Sequence, residues 1–124
     1  MSAALVCGVA LGGGLGATAR MYVDGAVSTR RSGAFPLGTL LINIAGSLFL
    51  GLLTGLVLFD GVQDAWRTVL GTGFCGGFTT FSTASFASVR LGQEGRATLA
   101  AFNLLGTLAL CTTAAVLGLA VARL

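Results

Sequence analysis

Four long apolar stretches, separated by three short polar ones, make up almost the entire chain. Their limits predict helices over 3–23, 37–59, 67–89 and 98–122 within a single unit, 1–124. Each is about 20 residues or slightly longer, enough to cross the ~30 Å hydrocarbon core of a bilayer. The lone proline, Pro36, stands just before the second stretch, where its fixed φ and missing N–H suit the start of a helix. The connecting segments 25–33, 60–66 and 90–96 read as loops and are too short to form a soluble domain. An even number of crossings puts both termini on one side. Arg30, Arg31, Arg90 and Arg96 fall on the other side, against Arg67 and Arg123, so the bias of basic residues toward the cytoplasm places the termini outside.

Within the stretches the polar and small residues are not scattered. Gly8, Gly12 and Gly16 recur every four residues and give the first helix a small-residue face for close packing. Thr39, Asn43 and Ser47 share one face of the second helix, with Gly46 and Gly51 nearby. Asn103, Thr107 and Cys111 make a similar stripe on the fourth. The third stretch is the unusual one. Segment 71–86, GTGFCGGFTTFSTASF, holds glycines, hydroxyls and phenylalanines but no charge. Buried in lipid, such a mixture is tolerated where the helix is broken and its freed polar groups face protein, water or an ion.

Composition narrows the chemistry. Only 9% of the 124 residues are charged and 55% are hydrophobic. Soluble domains carry about 25% charged residues, so this is an all-α membrane protein surrounded by lipid. The seven basic residues are all arginine and are dispersed, which excludes a nucleic-acid patch. Histidine is absent, and Cys7, Cys75 and Cys111 are isolated in apolar runs, so neither a zinc site nor a disulfide framework is indicated. The four acids, Asp24, Asp60, Asp64 and Glu94, lie at the ends of runs or in loops. A proton-coupled exporter of the small multidrug type shares this size and helix count but needs an intramembrane carboxylate. Hydrolytic or redox catalysis lacks a nucleophile–base pair, so the chain is not expected to be an enzyme. What remains inside the membrane are neutral donors (Thr39, Asn43, Ser47, Ser82, Thr83 and Thr107), aromatic rings and a glycine-rich backbone. Those groups suit a small hard anion, because hydroxyls and amides replace its water without trapping it by full charge. Arg20, at the end of the first stretch, either reaches the headgroups or stands at the mouth of an anion path. Four thin helices enclose a polar route poorly, so an oligomer is expected, most simply a dimer.

The segments GGLGATARMYV, GTLLINIAGSLFLG and GTGFCGGFTTFST, in this order, resemble the CrcB/Fluc family of fluoride channels, and the likeness extends over essentially the whole chain. The resemblance implies an antiparallel dimer of four-helix subunits in the bacterial inner membrane. Its third helices are broken at mid-membrane, and two narrow pores let fluoride leave the cell passively. It further implies a central sodium ion held by the backbone carbonyls at Gly76 and Thr79. It implies a pore lined by Asn43, Phe81 and Thr107, with the neighbouring Thr39, Ser82 and Thr83, and a vestibule arginine at Arg20. The chain departs from the family pattern at Ala84, where a second pore phenylalanine is usual, at Ala87, where a glutamate is usual, and at Asn103, where a tyrosine is common. Each family pore draws one ring from each subunit, so Ala84 leaves two assemblies open: a homodimer, or a heterodimer with a paralogous subunit. A degenerate partner subunit of such a heterodimer is the remaining reading.

Overall fold

A computed structural model of the chain describes residues 2–124, and among them every regular element is helical. Helix α1 spans Ala3–Arg30 and α2 spans Leu37–Phe59. A short α3, Asp64–Trp66, leads into a π-helical segment, Arg67–Cys75, and then α4, Gly76–Phe78. Helices α5, Phe81–Gln93, and α6, Ala97–Val121, complete the chain. Three of these, α1, α2 and α6, are long and apolar enough to cross a membrane. Segment 67–89, expected to be a broken crossing, is made of consecutive helical pieces.

The first loop is shorter than the sequence indicates. Residues 25–30 were expected to be irregular, yet α1 continues through them, and Arg31 N–H closes the helix on the Val27 carbonyl at 3.1 Å. Polar composition marks the point where a helix leaves lipid, not the point where it stops. Gly25 inside a helix costs only about 1 kcal/mol relative to alanine, and Arg30 in the last turn complements the helix dipole. At the other end Ser2 caps α1, its hydroxyl accepting from Leu5 N–H at 3.3 Å. Gly95, with φ of +75°, supplies the left-handed residue that ends α5 and turns the chain into α6.

Packing is by close backbone approach. Helix α2 lies along α6, and α1 lies along the π segment and α4. A Cβ placed on Gly12 would sit 2.8 Å from the Val69 carbonyl oxygen, and one on Gly73 would sit 2.8 Å from the Val9 carbonyl oxygen. Gly51 and Gly118 face the backbones of Ala115 and Leu48 in the same way. The small-residue face read at Gly8, Gly12 and Gly16 is therefore the seam between α1 and the π segment. In lipid there is no water to drive helices together, so dispersion across such seams and interhelical hydrogen bonds hold the bundle. Large apolar side chains such as Leu11, Leu15, Met21 and Tyr22 point outward, each more than 60% exposed on the single chain.

Candidate functional site

The site begins where the helical path stops. Thr79 (φ −79°, ψ 161°) and Thr80 (φ −150°, ψ 120°) are extended, and helix resumes at Phe81. Upstream, the winding is already loosened: Gly76 N–H reaches back to the Gly71 and Gly73 carbonyls. π turns of this kind are uncommon and gather at functional places.

Asn43, buried on α2, addresses the interruption directly. Its Oδ1 accepts from Thr80 N–H at 2.8 Å, and its Nδ2 donates to the Thr80 carbonyl at 3.0 Å. One side-chain amide thus completes both backbone groups of a residue that has left the helix. The reciprocal pattern also fixes which end of the amide is oxygen. Thr80 in turn caps α5, its Oγ1 accepting from Thr83 N–H at 3.2 Å. Gly46, one turn beyond Asn43, leaves room for the Thr79 methyl and the Phe78 ring.

These bonds have a consequence for two carbonyls. In a continuous α-helix the Gly76 carbonyl would accept from Thr80 N–H, and the Thr79 carbonyl from Thr83 N–H. The first donor is taken by Asn43 and the second by the Thr80 side chain. The Gly76 and Thr79 oxygens are left without their helical partners. A Cβ on Gly76 would meet nothing within 4 Å, and this glycine is exposed on the single chain. The donor set is neutral carbonyl oxygen, which suits a hard cation better than a soft, thiolate- or imidazole-seeking metal.

A cavity of about 290 Å³ opens on this arrangement, lined by Asn43, Ser47, Gly76, Thr79, Thr80, Phe81 and Thr107, among others. Thr107 is distinctive. Thr18, Thr54, Thr112 and Thr113 each donate to the carbonyl four residues earlier on their own helix. The Thr107 hydroxyl does not, and its oxygen is buried with no hydrogen-bond partner. A second, larger cavity of about 450 Å³ lies near the ends of α1 and α5, and Thr39 and Thr83 line it together with Asp24, Arg31, Arg90 and Glu94. There Arg90 is held by Glu94 at 2.9 Å.

The residues expected at the site therefore divide. Asn43, Phe81, Thr107, Gly76 and Thr79 meet at one cavity, whereas Thr39 and Thr83 belong to the other. Ser82 lines neither, and its hydroxyl lies 3.3 Å from Thr80 Oγ1. Arg20, half-buried on α1, also lines neither, and the arginines at the larger cavity are Arg31 and Arg90. Arg31 was read as part of a loop, and its place beside α5 follows from the unforeseen length of α1. Asn103 was legible as one member of a stripe and as a departure from the family's usual tyrosine, but not as a partner of α5. In the fold it is 2% exposed, and its Nδ2 donates to the Ala84 carbonyl at 3.1 Å and to Ser88 Oγ at 2.9 Å.

Fold and cavities together define a small multi-pass helical membrane protein whose uncharged polar groups gather where a helix is interrupted. That is the architecture of a solute path, and among the described residues no group of His, Cys, Asp and Glu that could hold a metal ion is found. The chain belongs to the CrcB family, since residues 7–119 match the family model described as CrcB-like protein, Camphor Resistance (CrcB). It is 49% identical over 119 residues to the fluoride-specific ion channel FluC 1 of Leifsonia xyli subsp. xyli, covering 96% of this chain and 87% of that one. It is 46% identical over 114 residues to the fluoride-specific ion channel FluC of Pyrococcus abyssi, covering 91% of each chain. With the fluoride-specific ion channel FluC 2 of Cutibacterium acnes it shares 47% identity over 113 residues, or 90% of this chain and 92% of that one.

Proposed function

We propose that this chain is a subunit of a fluoride-selective ion channel of the bacterial inner membrane, through which fluoride leaves the cell passively. One observation carries the proposal beyond the relatives' names: the cavity at the helix interruption holds donors and no full charge. A small anion is strongly hydrated, so a path for it must offer replacement donors without binding too tightly to release it. The buried, unpartnered Thr107 hydroxyl is such a donor. One Asn43 N–H is the other, since Thr80 uses only one of the two. Phe81, 84% exposed on its own chain, is free to present a ring edge to a path completed by a second subunit.

The subunits are proposed to form an antiparallel dimer in which this interruption lies at mid-membrane. A sodium ion is proposed to lie where the two third crossings meet. The carbonyls of Gly76 and Thr79 would hold it, because their helical donors are diverted and Gly76 opens onto uncovered space. When bound, the ion would supply positive charge to the carbonyl oxygens of both subunits and so favour their association. The reading as a proton-coupled exporter is disfavoured, because Asp60, Asp64 and Glu94 lie at element ends, and Asp24, inside the last two turns of α1, lines the larger cavity with Arg31 and Arg90 rather than the cavity at the interruption. A heterodimer with a paralogous subunit is the second assembly to keep, because Ala84 occupies the place where the family carries its other pore ring.

The experiment is fluoride efflux from liposomes holding this chain alone, read with an ion-selective electrode, with chloride as the control. Brisk fluoride efflux without a partner supports the homodimer and removes the heterodimer. Efflux only when a paralogue is added supports the heterodimer. Equal efflux of fluoride and chloride refutes the fluoride-selective reading.

A further inference from the structure

Helix α5 is held in an unusual way. It has 13 residues and begins immediately after the extended pair Thr79–Thr80, so no continuous helix behind it fixes its rotation. It packs chiefly on α6 and only slightly on α2. Its one fully buried residue, Leu91, lies near its far end. Near its middle the anchor is polar. Asn103 of α6 uses both N–H bonds of its amide on α5, one to the Ala84 carbonyl and one to Ser88 Oγ, at 3.1 and 2.9 Å. The Ser88 hydroxyl closes the triangle by donating to the same Ala84 carbonyl at 3.0 Å. Asn103 is 2% exposed, so these bonds are shielded from competing water.

We infer that Asn103 is a positioning residue for the ion path: through Ala84 and Ser88 it sets the rotation of α5, and with it the direction of Phe81, Ser82 and Thr83. This rests on the reading of residues 81–83 as path-lining given above. Ala84 and Ser88 are four apart and share one face of α5. Ser82 lies on roughly the opposite face at ~100° per residue. Holding the first face therefore aims the second. A rotation of about 20° would move each Cα by roughly 0.8 Å at the ~2.3 Å helix radius. Position 84 thus contributes through its backbone oxygen what its methyl side chain cannot contribute as a ring. The sequence around it, with serine four residues on and asparagine facing both, is a polar brace rather than a defect.

The test uses the full chain in the assembly that conducts, with Asn103→Leu, Ser88→Ala and the double variant. Two readouts are needed: fluoride efflux from liposomes, and amide hydrogen exchange of the peptides covering 81–93. Asn103→Leu is expected to speed exchange across 81–88 at least tenfold, with α1 and α2 unchanged, and to slow efflux at least tenfold. Asn103→Gln, which keeps the amide, restores part of both. Ser88→Ala has a smaller effect, and the double variant is no worse than Asn103→Leu, because both act through one triangle. Unchanged exchange in α5 overturns the inference, whatever efflux does. Losses that multiply in the double variant overturn it as well. Should Asn103→Leu not fold, Ser88→Ala alone decides, and wild-type exchange at 81–88 would sink the brace. If the unmodified assembly passes no fluoride, the proposed function fails, while the exchange measurement still reads the brace.

Discussion

Replacing Asn43 tests the core of the site. Asn43→Ala removes two buried bonds at once and leaves both Thr80 N–H and Thr80 C=O without partners. In water-excluded protein each orphaned group would cost ~1–3 kcal/mol. Membrane proteins return less, about 0.6 kcal/mol per interhelical bond on average and ~1.7 at most, because the backbone finds other partners. Two bonds at that scale give about 1–3 kcal/mol, equivalent to a ~5- to 150-fold change in the population of the interrupted conformation. The alternative partner here is specific. Freed from Asn43, Thr80 N–H can return to the Gly76 carbonyl and extend α4 through the interruption. Fluoride efflux from liposomes should then fall by about that factor, while the apolar seams at Gly12 and Gly51 keep the fold. Asn43→Asp sharpens the test. A carboxylate still accepts from Thr80 N–H, but it has no donor for the Thr80 carbonyl and adds a negative charge to an anion path. Its efflux should be lower than that of Asn43→Ala. Efflux at the unmodified rate in Asn43→Asp would refute the placement of Asn43 on the path.

Three further outcomes follow from the same geometry. Thr107→Val keeps the shape but removes a hydroxyl that has no protein partner, so thermal stability should be unchanged or slightly raised while efflux falls about tenfold, the worth of one ~1.4 kcal/mol donor; a melting point several degrees lower would show that the hydroxyl has a structural bond. Gly12→Ala would put a Cβ 2.8 Å from the Val69 carbonyl and force α1 off the π segment, so the protein should melt lower by several degrees and elute more heterogeneously on size exclusion; Gly14→Ala, with open space at its Cβ, is the control that should behave as the unmodified chain. Exchanging sodium for a bulky organic cation should weaken subunit association by sedimentation and slow efflux if the Gly76 and Thr79 carbonyls hold sodium, and identical behaviour in both buffers would remove the ion from the description.

The helices were legible because lipid imposes a length and an apolar composition that few other structures share. The seam of Gly8, Gly12 and Gly16 was legible because a repeat of four on a helix is a face. The end of α1 was not, because leaving the bilayer and leaving the helix have the same polar signature. The π winding of Arg67–Cys75 was not legible either, since it differs from α-helix by a one-residue shift in hydrogen bonding that no side chain announces. The stripe Thr39–Asn43–Ser47 was read correctly as one face, but a face four residues per step long runs past the interruption. Thr39 therefore meets the larger cavity while Asn43 and Ser47 meet the smaller one at the interruption. Asn103 and Ser88 could not be paired from the sequence at all. Their contact depends on the register between α5 and α6, which the turn at Gly95 sets.

An interrupted helix inside a membrane poses a problem that water solves elsewhere: the groups freed at the interruption must be bonded, or they cost several kcal/mol each. This chain satisfies some and leaves others open, and the choice is made by side chains. Asn43 bonds Thr80, and the Thr80 hydroxyl bonds Thr83 N–H, so these two amides at the interruption are taken up. The Gly76 and Thr79 carbonyls that those amides would have served lose these helical donors, and both residues line the cavity at the interruption. The same accounting runs in reverse at Thr107, where a hydroxyl gives up the bond to its own helix that other threonines in the chain make. A carbonyl without a donor attracts a cation, and a hydroxyl without an acceptor attracts an anion. Asn43 stands between the two kinds of vacancy, with one amide hydrogen still to give. In the proposed channel the asparagine would thus join the backbone carbonyls offered to a cation to the side-chain donors offered to an anion.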